Sequence, residues 1–326
     1  MKILAIPDIH QTEHYKKPLK ELYDSVDKVV FLGDYFDFHD PEGVVDTNKA
    51  IENFNDICKL ARDNPDKVDA LIGNHDDEYI TDDMTNTYQY HNEMLIGKAI
   101  LSNLDVLKVA VMYDDWLFSH AGVSDVFLYL NGLATNNNGE IVPTEGYVEE
   151  LNKRLRRDGA GFLVYSQFDI SHYGDDKTQT PTWIRPSSLL PNCAHNKQVV
   201  GHTAVGSGRK KPAFFEYRGN KVIFLDTDAK DQYFVFDTEK EPDFQDVEKK
   251  GKEIVHIVNI KVQKLSENSY MYKIVIDAED EPCLYHSCLS AAGLDSIEVA
   301  EYIDAALEEL AEIYDLRGEI PSYKIE

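Results

Sequence analysis

The sequence predicts a layered α/β fold, and three observations predict it. Short apolar runs rich in Val, Ile, Leu and Phe recur through much of the chain, each bounded by Gly or Pro; runs of that kind read as strands buried on both faces. Stretches of helical periodicity separate the early runs, and repeated strand–helix–strand units build layered α/β domains. The runs also end abruptly in Asp, Asn or His, at the strand edge where such folds gather ligands.

The elements follow in order. "KILAIPDIH" is apolar from Ile3 to Ile6 and then delivers Asp8 and His10. "EHYKKPLKELYDSV" reads as a short helix. "VVFLGDYFDFHD" stops at Gly33 and delivers Asp34, Asp37, His39 and Asp40. "DTNKAIENFNDICKLARDN" puts Ile51, Phe54, Ile57, Cys58 and Ala61 on one helical face. Asp46 or Thr47 suits its N-cap, and Pro65 stands beyond its end. "VDALIGNHD" delivers Asn74, His75 and Asp76. "MTNTYQYHNEMLIGKAILSNL" again has a helical pattern. "DWLFSHAG" and "KQVVGHT" deliver His120 and His202. "AFFEYRGNKVIFLDTDAKDQYFVFDT" reads as three consecutive strands joined by the tight turns "RGNK" and "DAKD".

Beyond Thr238 the pattern changes. "KEIVHIVNIKVQKL" and "SYMYKIVIDAE" alternate like a hairpin, and "DSIEVAEYIDAALEELAEIYDLRG" reads as a helix stopped by Gly318 and Pro321. Its apolar face runs through Val299, Ile303, Ala306, Leu310 and Ile313. This tail holds 9 Lys+Arg and 21 Asp+Glu, a net of 9 − 21 = −12. We therefore divide the chain into a domain over 1–238 and a small α+β appendage over 239–326, whose acidic helix is a solvated face or a partner-binding surface.

Whole-chain properties narrow the class. A net charge of −26 over 326 residues repels nucleic-acid backbones. No run approaches the roughly 20 apolar residues of a membrane span, and Asp8 interrupts the N-terminal apolar run, so the sequence predicts a cytoplasmic protein. The four cysteines, Cys58, Cys193, Cys283 and Cys288, are too few and too irregular for a disulfide framework. Cys283, His286 and Cys288, with His256 upstream, lack the tight spacing of a zinc site. His14, His39, His91, His172 and His195 belong to no motif.

Together the strand ends offer Asp8, His10, Asp34, Asn74, His120 and His202. These are oxygen and imidazole donors without thiolate, a set that suits manganese, iron, zinc or cobalt. Asp34 is central and able to bridge two ions. Two ions about 3.5–4 Å apart are the arrangement for phosphoester hydrolysis, in which a shared hydroxide attacks phosphorus in line.

These motifs carry a resemblance. "DIH", "GDYFD", "GNHD", "HAG" and "GHT" resemble, in order, the signature DxH, GDxxD, GNH[DE], His and GH of the calcineurin-like metallophosphoesterases, over residues 1 to about 238. The resemblance implies an α/β/β/α sandwich and two divalent ions, manganese foremost. Asp8, His10 and Asp34 would hold the first ion, and Asp34, Asn74, His120 and His202 the second. His75 would be the general acid facing the leaving group, oriented by Asp37. "GHTA" has Ala204 where nuclease-like members carry a second histidine. That feature and "HAGVS" resemble the Ser/Thr protein phosphatase-like branch with its bacterial and phage members. "TWIRP" resembles a segment of the bacterial phosphatases and would set Arg185 over the substrate phosphate. Two residues depart from the pattern: Phe38 stands where those phosphatases carry arginine, and Gln11 where the family has glycine. The implied activity is hydrolysis of a phosphomonoester in protein or small molecule. Dinucleoside polyphosphates are the competing substrates, and an interaction protein with a vestigial metal site is the competing class.

Overall fold

The computed structural model describes residues 1–38, 43–81, 85, 87–137, 140–163, 176–204, 212–226, 233–240, 248–249, 254–266, 269–278, 287–292, 303, 307, 315–316 and 322. The chain divides into two compact units. One comprises 1–166 and 177–249; the other comprises 167–176 and 250–326.

The first unit holds two main sheets. Strands β1 (Lys2–Ile6), β2 (Lys28–Phe31), β3 (Val68–Leu71) and β4 (Leu107–Lys108) run parallel in sequence order. Strands β5 (Ala110–Tyr113), β6 (Trp116–Ser119), β9 (Lys197–Val200), β10 (Ala213–Tyr217) and β11 (Asn220–Phe224) form the second sheet. Its edge strand, β13 (Glu248–Lys249), lies beside β10, whereas β7 (Ala134–Asn137) and β8 (Glu140–Pro143) make a separate hairpin. The helices are α1 (Lys16–Leu22), α2 (Thr47–Asp63), α3 (Asn74–Asp77), α4 (Glu93–Leu101), α5 (Asp125–Leu130), α6 (Tyr147–Asp158) and α7 (Pro186–Leu189).

Strand periodicity explains the layering. Ile3 and Ala5 face a cluster with Phe118, Val199, Phe214 and Ile223 of the second sheet, which is the seam between sheets. Leu4 and Ile6 point the other way, into a cluster with Phe54, Ile57 and Cys58 of α2. Successive side chains of a strand alternate faces, so a strand buried on both faces must be apolar throughout. The α2 helix follows its sequence pattern: Ala50, Phe54, Ile57, Cys58 and Ala61 are buried, and the Asp46 carboxylate caps it by accepting from the Lys49 N–H at 3.1 Å. A layered α/β sandwich results, as the sequence predicts.

Two expectations change. The pattern from Met84 to Leu104 predicts a long helix, but among the described residues of that stretch only Glu93–Leu101 is helical; Thr85 and Thr87–Asn92 form irregular chain with side-chain bonds to other elements. The three strands from Ala213 to Asp237 are present, yet they do not form one meander. The first two make a hairpin turned by Arg218 and Gly219 at φ of +48° and +87°. The third, β12 (Phe234–Asp237), joins the other sheet antiparallel to β1. The turn "DAKD" lies outside the described residues.

In the second unit, β14 (Ile254–Ser266) and β15 (Ser269–Ala278) form the expected hairpin, extended by β16 (Ser287–Ala292) and β17 (Asp315–Leu316) into four strands. Of the expected C-terminal helix, Ile303 and Leu307 are helical and buried. Val299, Ala306, Leu310 and Ile313 lie outside the described residues, as do His39, Asp40, His172, Cys283 and His286.

Candidate metal centre and acid–base pair

Strand ends deliver the candidate residues to one place, and glycine lets them crowd. Gly33 has a φ of +104°, and a Cβ there would meet the Gly73 nitrogen at 2.5 Å. A Cβ on Gly73 would in turn fall on the Asp34 carboxylate. The two turns can therefore touch only because neither carries a side chain. Asp8, His10, Asp34, Asp37 and His202 all adopt positive φ, between +37° and +62°. L-residues avoid that region, and its occurrence clusters at functional sites.

Asp76 locks these turns. Its buried carboxylate accepts from the N–H groups of Asp34 at 2.8 Å, Tyr35 at 2.8 Å and Gly73 at 2.9 Å. Asp8 ties the third loop in, accepting from the His202 N–H at 2.9 Å. The His75 N–H donates to Asp34 at 2.9 Å, so the backbones of the strand ends are bonded to one another's side chains.

Two donor groups share one carboxylate. Asp8, His10 and Asp34 each offer an atom within 4.8 Å of the others, and so do Asp34, His120 and His202. Asn74 joins the second group, its Oδ1 lying 3.0 Å from the His120 Nε2. All three histidines are held the same way. His120 Nδ1 faces the Leu32 carbonyl at 2.8 Å, His10 Nδ1 the Phe36 carbonyl at 3.3 Å, and His202 Nε2 the Trp183 carbonyl at 3.2 Å. A carbonyl only accepts, so that nitrogen carries the hydrogen, and in a neutral ring the other offers its lone pair. A backbone carbonyl on the far nitrogen is the usual brace of a metal-binding imidazole.

The electrostatics call for a cation. Burial pushes the Asp8 carboxyl well above the usual range, and the charges of Asp226 and Asp34 push it further. Burial also works to raise Asp34, but the charges of His120, His75 and His10 override it and hold Asp34 well below its usual value. The His202 imidazole is pressed down by burial and by the charges of Arg185 and His120. The Asp8 Oδ2 is buried without a hydrogen-bond partner among the described residues. A buried carboxyl without a partner for one oxygen stays protonated or takes a cation there. The donor set and this orphaned oxygen fit divalent metal ions.

A second cluster adjoins the first. His75 Nδ1 lies 3.1 Å from the Asp37 Oδ2 and 3.4 Å from the Glu78 Oε1. Its ring stands edge-on to His10, with centroids 5.3 Å apart. Burial works to lower the His75 pKa, but the Asp34 charge and the bonds to Asp37 and Glu78 outweigh it, holding the imidazolium well above the ordinary histidine range. Asp37 also accepts from the Tyr79 hydroxyl and, at 2.9 Å, from Gln89 Nε2. Burial pushes the Glu78 carboxyl up to about 7, against its bond to His75 and helped by Asp37. Arg185 lies on the second donor group's side, its charge acting on His202. It precedes α7 and donates to the Thr203 hydroxyl at 3.2 Å, one residue from His202.

Sequence reasoning missed Asp76, Glu78, Tyr79 and Gln89 as parts of the site. A signal existed: "HDDEY" puts three acids after His75, and burying all three, each at most 1% exposed, demands partners.

Comparison with known proteins fits this geometry. Residues 1–206 match the family model for calcineurin-like phosphoesterase, nearly two thirds of the chain. The chain belongs to the calcineurin-like phosphoesterase family. It is accordingly a metal-binding hydrolase of phosphoester bonds. Solved structures similar to it include a cold-active protein-tyrosine phosphatase of a psychrophilic Shewanella species, at 17% identity and TM-score 0.44, covering 89% of this chain and 80% of that one. A metallophosphoesterase from Sphaerobacter thermophilus aligns at 17% identity and TM-score 0.37, covering 73% of this chain and 84% of that one. The phosphoesterase Yfce of E. coli aligns at 13% identity and TM-score 0.27, covering 90% of this chain and 100% of that one. No curated protein matches the sequence. No described helix is long and apolar enough to cross a membrane.

Proposed function

We propose that this member of the family is a two-metal phosphomonoesterase of the protein phosphatase-like kind, working on phosphoprotein or a small phosphoester. One observation carries the reading: Asp34 is common to the Asp8–His10–Asp34 and Asp34–His120–His202 groups. Asp8, His10 and Asp34 would hold one ion, and Asp34, Asn74, His120 and His202 the other, with manganese the first choice over iron, zinc and cobalt. When bound, such ions lower the pKa of a water and neutralise charge on phosphoryl oxygens.

The remaining work falls to the chain. Arg185 supplies a guanidinium for two phosphoryl oxygens, a planar fork that fits them. Asp37 accepts the His75 Nδ1 hydrogen and leaves the Nε2 hydrogen for the substrate. Water adds to phosphorus as the ester P–O bond breaks, and His75 passes its Nε2 proton to the departing alkoxide. The water's own proton goes to solvent, and phosphate and alcohol leave. Residues 1–238 form the catalytic domain on this reading.

The test combines metal analysis of purified protein with hydrolysis of phosphopeptides, dinucleoside polyphosphates and sugar phosphates under saturating Mn2+. Two ions per chain and preference for a phosphomonoester are expected. Fewer than one ion per chain rejects the metal assignment. Preference for the dinucleoside polyphosphate transfers the chain to nucleotide hydrolysis, and metal binding without any turnover favours an interaction protein.

A further inference from the structure

Two glutamines that the family's motifs do not call for meet beside the acid–base pair. Gln11 stands where the signature has glycine, and it keeps the left-handed backbone that glycine would take, with a φ of +56°. Only 2% exposed, it donates from Nε2 to the Val45 carbonyl at 3.2 Å, and its Oε1 accepts from Gln89 Nε2. The same Gln89 nitrogen donates to Asp37 Oδ1 at 2.9 Å. Its Oε1 accepts from the Thr47 hydroxyl at 2.8 Å and from Asn92 Nδ2 at 3.1 Å. Its backbone N–H donates to the Tyr79 hydroxyl at 2.9 Å, and that hydroxyl donates to Asp37 Oδ1.

The bonds fix the direction of the Gln89 amide. Turning it over would set its oxygen against the Asp37 and Gln11 oxygens and its NH₂ against the Asn92 NH₂. Asp37 has two oxygens; Oδ2 faces His75, and Oδ1 is held by Gln89 and Tyr79 together. Rotation of the carboxylate away from His75 would break these contacts. Gln11 directly follows His10, so one amide joins the loop of the first donor group to the proton donor's partner.

We propose that Gln89 is a positioning residue for the reaction: it sets the Asp37 carboxylate against His75 and, through Gln11, registers that pair against the Asp8–His10 loop. The inference rests on the reading of His75 as proton donor. The simpler role for Gln89 would be to pin the irregular stretch before α4.

The experiment uses the full chain with saturating Mn2+ and compares a primary alkyl phosphate with 4-nitrophenyl phosphate, whose leaving group needs no proton. Gln89→Met keeps length and bulk and removes the amide. It should lose on the order of tenfold in kcat on the alkyl ester and less than about twofold on the aryl ester. Mn2+ affinity by calorimetry should not change. Gln11→Met should lose in the same direction, by less. If Gln89→Met fails to fold, Gln11→Met, which leaves the Gln89 bonds to Thr47, Asn92 and Asp37 in place, carries the test and should show the same split. Equal losses on both esters, or none on either, overturn the inference if His75→Ala still discriminates between them. If His75→Ala does not discriminate, the donor reading and the inference fall together.

Discussion

The two clusters of the site are a few ångströms apart and are built on opposite plans. In the donor cluster, His10, His120 and His202 are each braced by one backbone carbonyl, and Asp8 keeps an oxygen without a partner among the described residues. In the acid–base cluster, side chains mostly bond side chains: Asp37 receives His75, Tyr79 and Gln89, while Glu78 receives the Thr85 hydroxyl at 3.2 Å and, from the backbone, the Thr85 N–H at 2.6 Å. Under the proposed function, the difference is between space kept for an ion and a position kept for a proton. Lone pairs left bare and converging invite a cation. A network with its hydrogen bonds made fixes where each hydrogen sits.

The largest break in that comparison comes from Asp34→Asn. It removes the one carboxylate common to both donor groups, so both ions should be lost together and turnover should fall to background. Metal content by mass spectrometry and activity at saturating Mn2+ check it; retention of one tight ion would mean that the groups are independent.

His75→Ala attacks the other cluster. The metals should stay, and turnover on alkyl phosphates should fall about 10²–10⁴-fold, the usual scale for a general acid. The fall should shrink on 4-nitrophenyl phosphate. A matching fall on both esters would assign His75 to substrate binding instead.

Asp76→Ala tests what both clusters stand on. It strands three buried N–H groups, each costing about 1–3 kcal/mol unsatisfied, but it also relieves a carboxylate that burial and the Asp34 charge push up. A net loss of about 2–4 kcal/mol in urea unfolding is expected, in metal-free protein as well as metal-bound. A loss seen only with metal bound would make Asp76 a support of the ion and not of the turns.

The smallest effect belongs to a remote control. Arg62 grips Asp105 with two bonds, of 2.9 and 2.7 Å, on an exposed surface. Arg62→Ala should cost under about 1 kcal/mol and leave kcat unchanged. The bond to Arg62 depresses the Asp105 carboxyl in the folded state. The stability it adds is therefore present above the ordinary carboxylate range and lost as pH falls through the depressed value. Thermal melts of both proteins across acidic pH should converge; a gap that persists at low pH would mean that packing of the arginine stem matters more than its charge.

The donor cluster was legible in the sequence because each donor ends a strand, and strand ends announce themselves as apolar runs cut by Gly or Pro. Asp8, His10, Asp34, Asn74, His120 and His202 all arrive in this way. Within the acid–base surroundings, Thr85, Thr87 and Gln89 were not legible, because they lie in chain whose apolar spacing imitates a helix. Their tertiary hydrogen bonds override that spacing, as the modest helix preference of threonine allows. The path of β12 was equally hidden: after a hairpin, the neighbouring sheet position is the default, and only the pairing with β1 reveals the departure. The layered class of the fold needed none of this detail, since alternation and periodicity alone imply it.

Of the eight non-glycine residues at positive φ among those described, six are Asp8, His10, Gln11, Asp34, Asp37 and His202. At each, the left-handed backbone costs an L-residue on the order of 1 kcal/mol, a cost glycine would escape. Glycine at these positions would relieve that cost but would also strand the groups that Asp8, Gln11, Asp34 and Asp37 bond. Each such substitution would delete a donor, or a group that holds one in place. The backbone of this site thus holds six side chains in a conformation that glycine would adopt more easily, and several of them also bond the loops to one another.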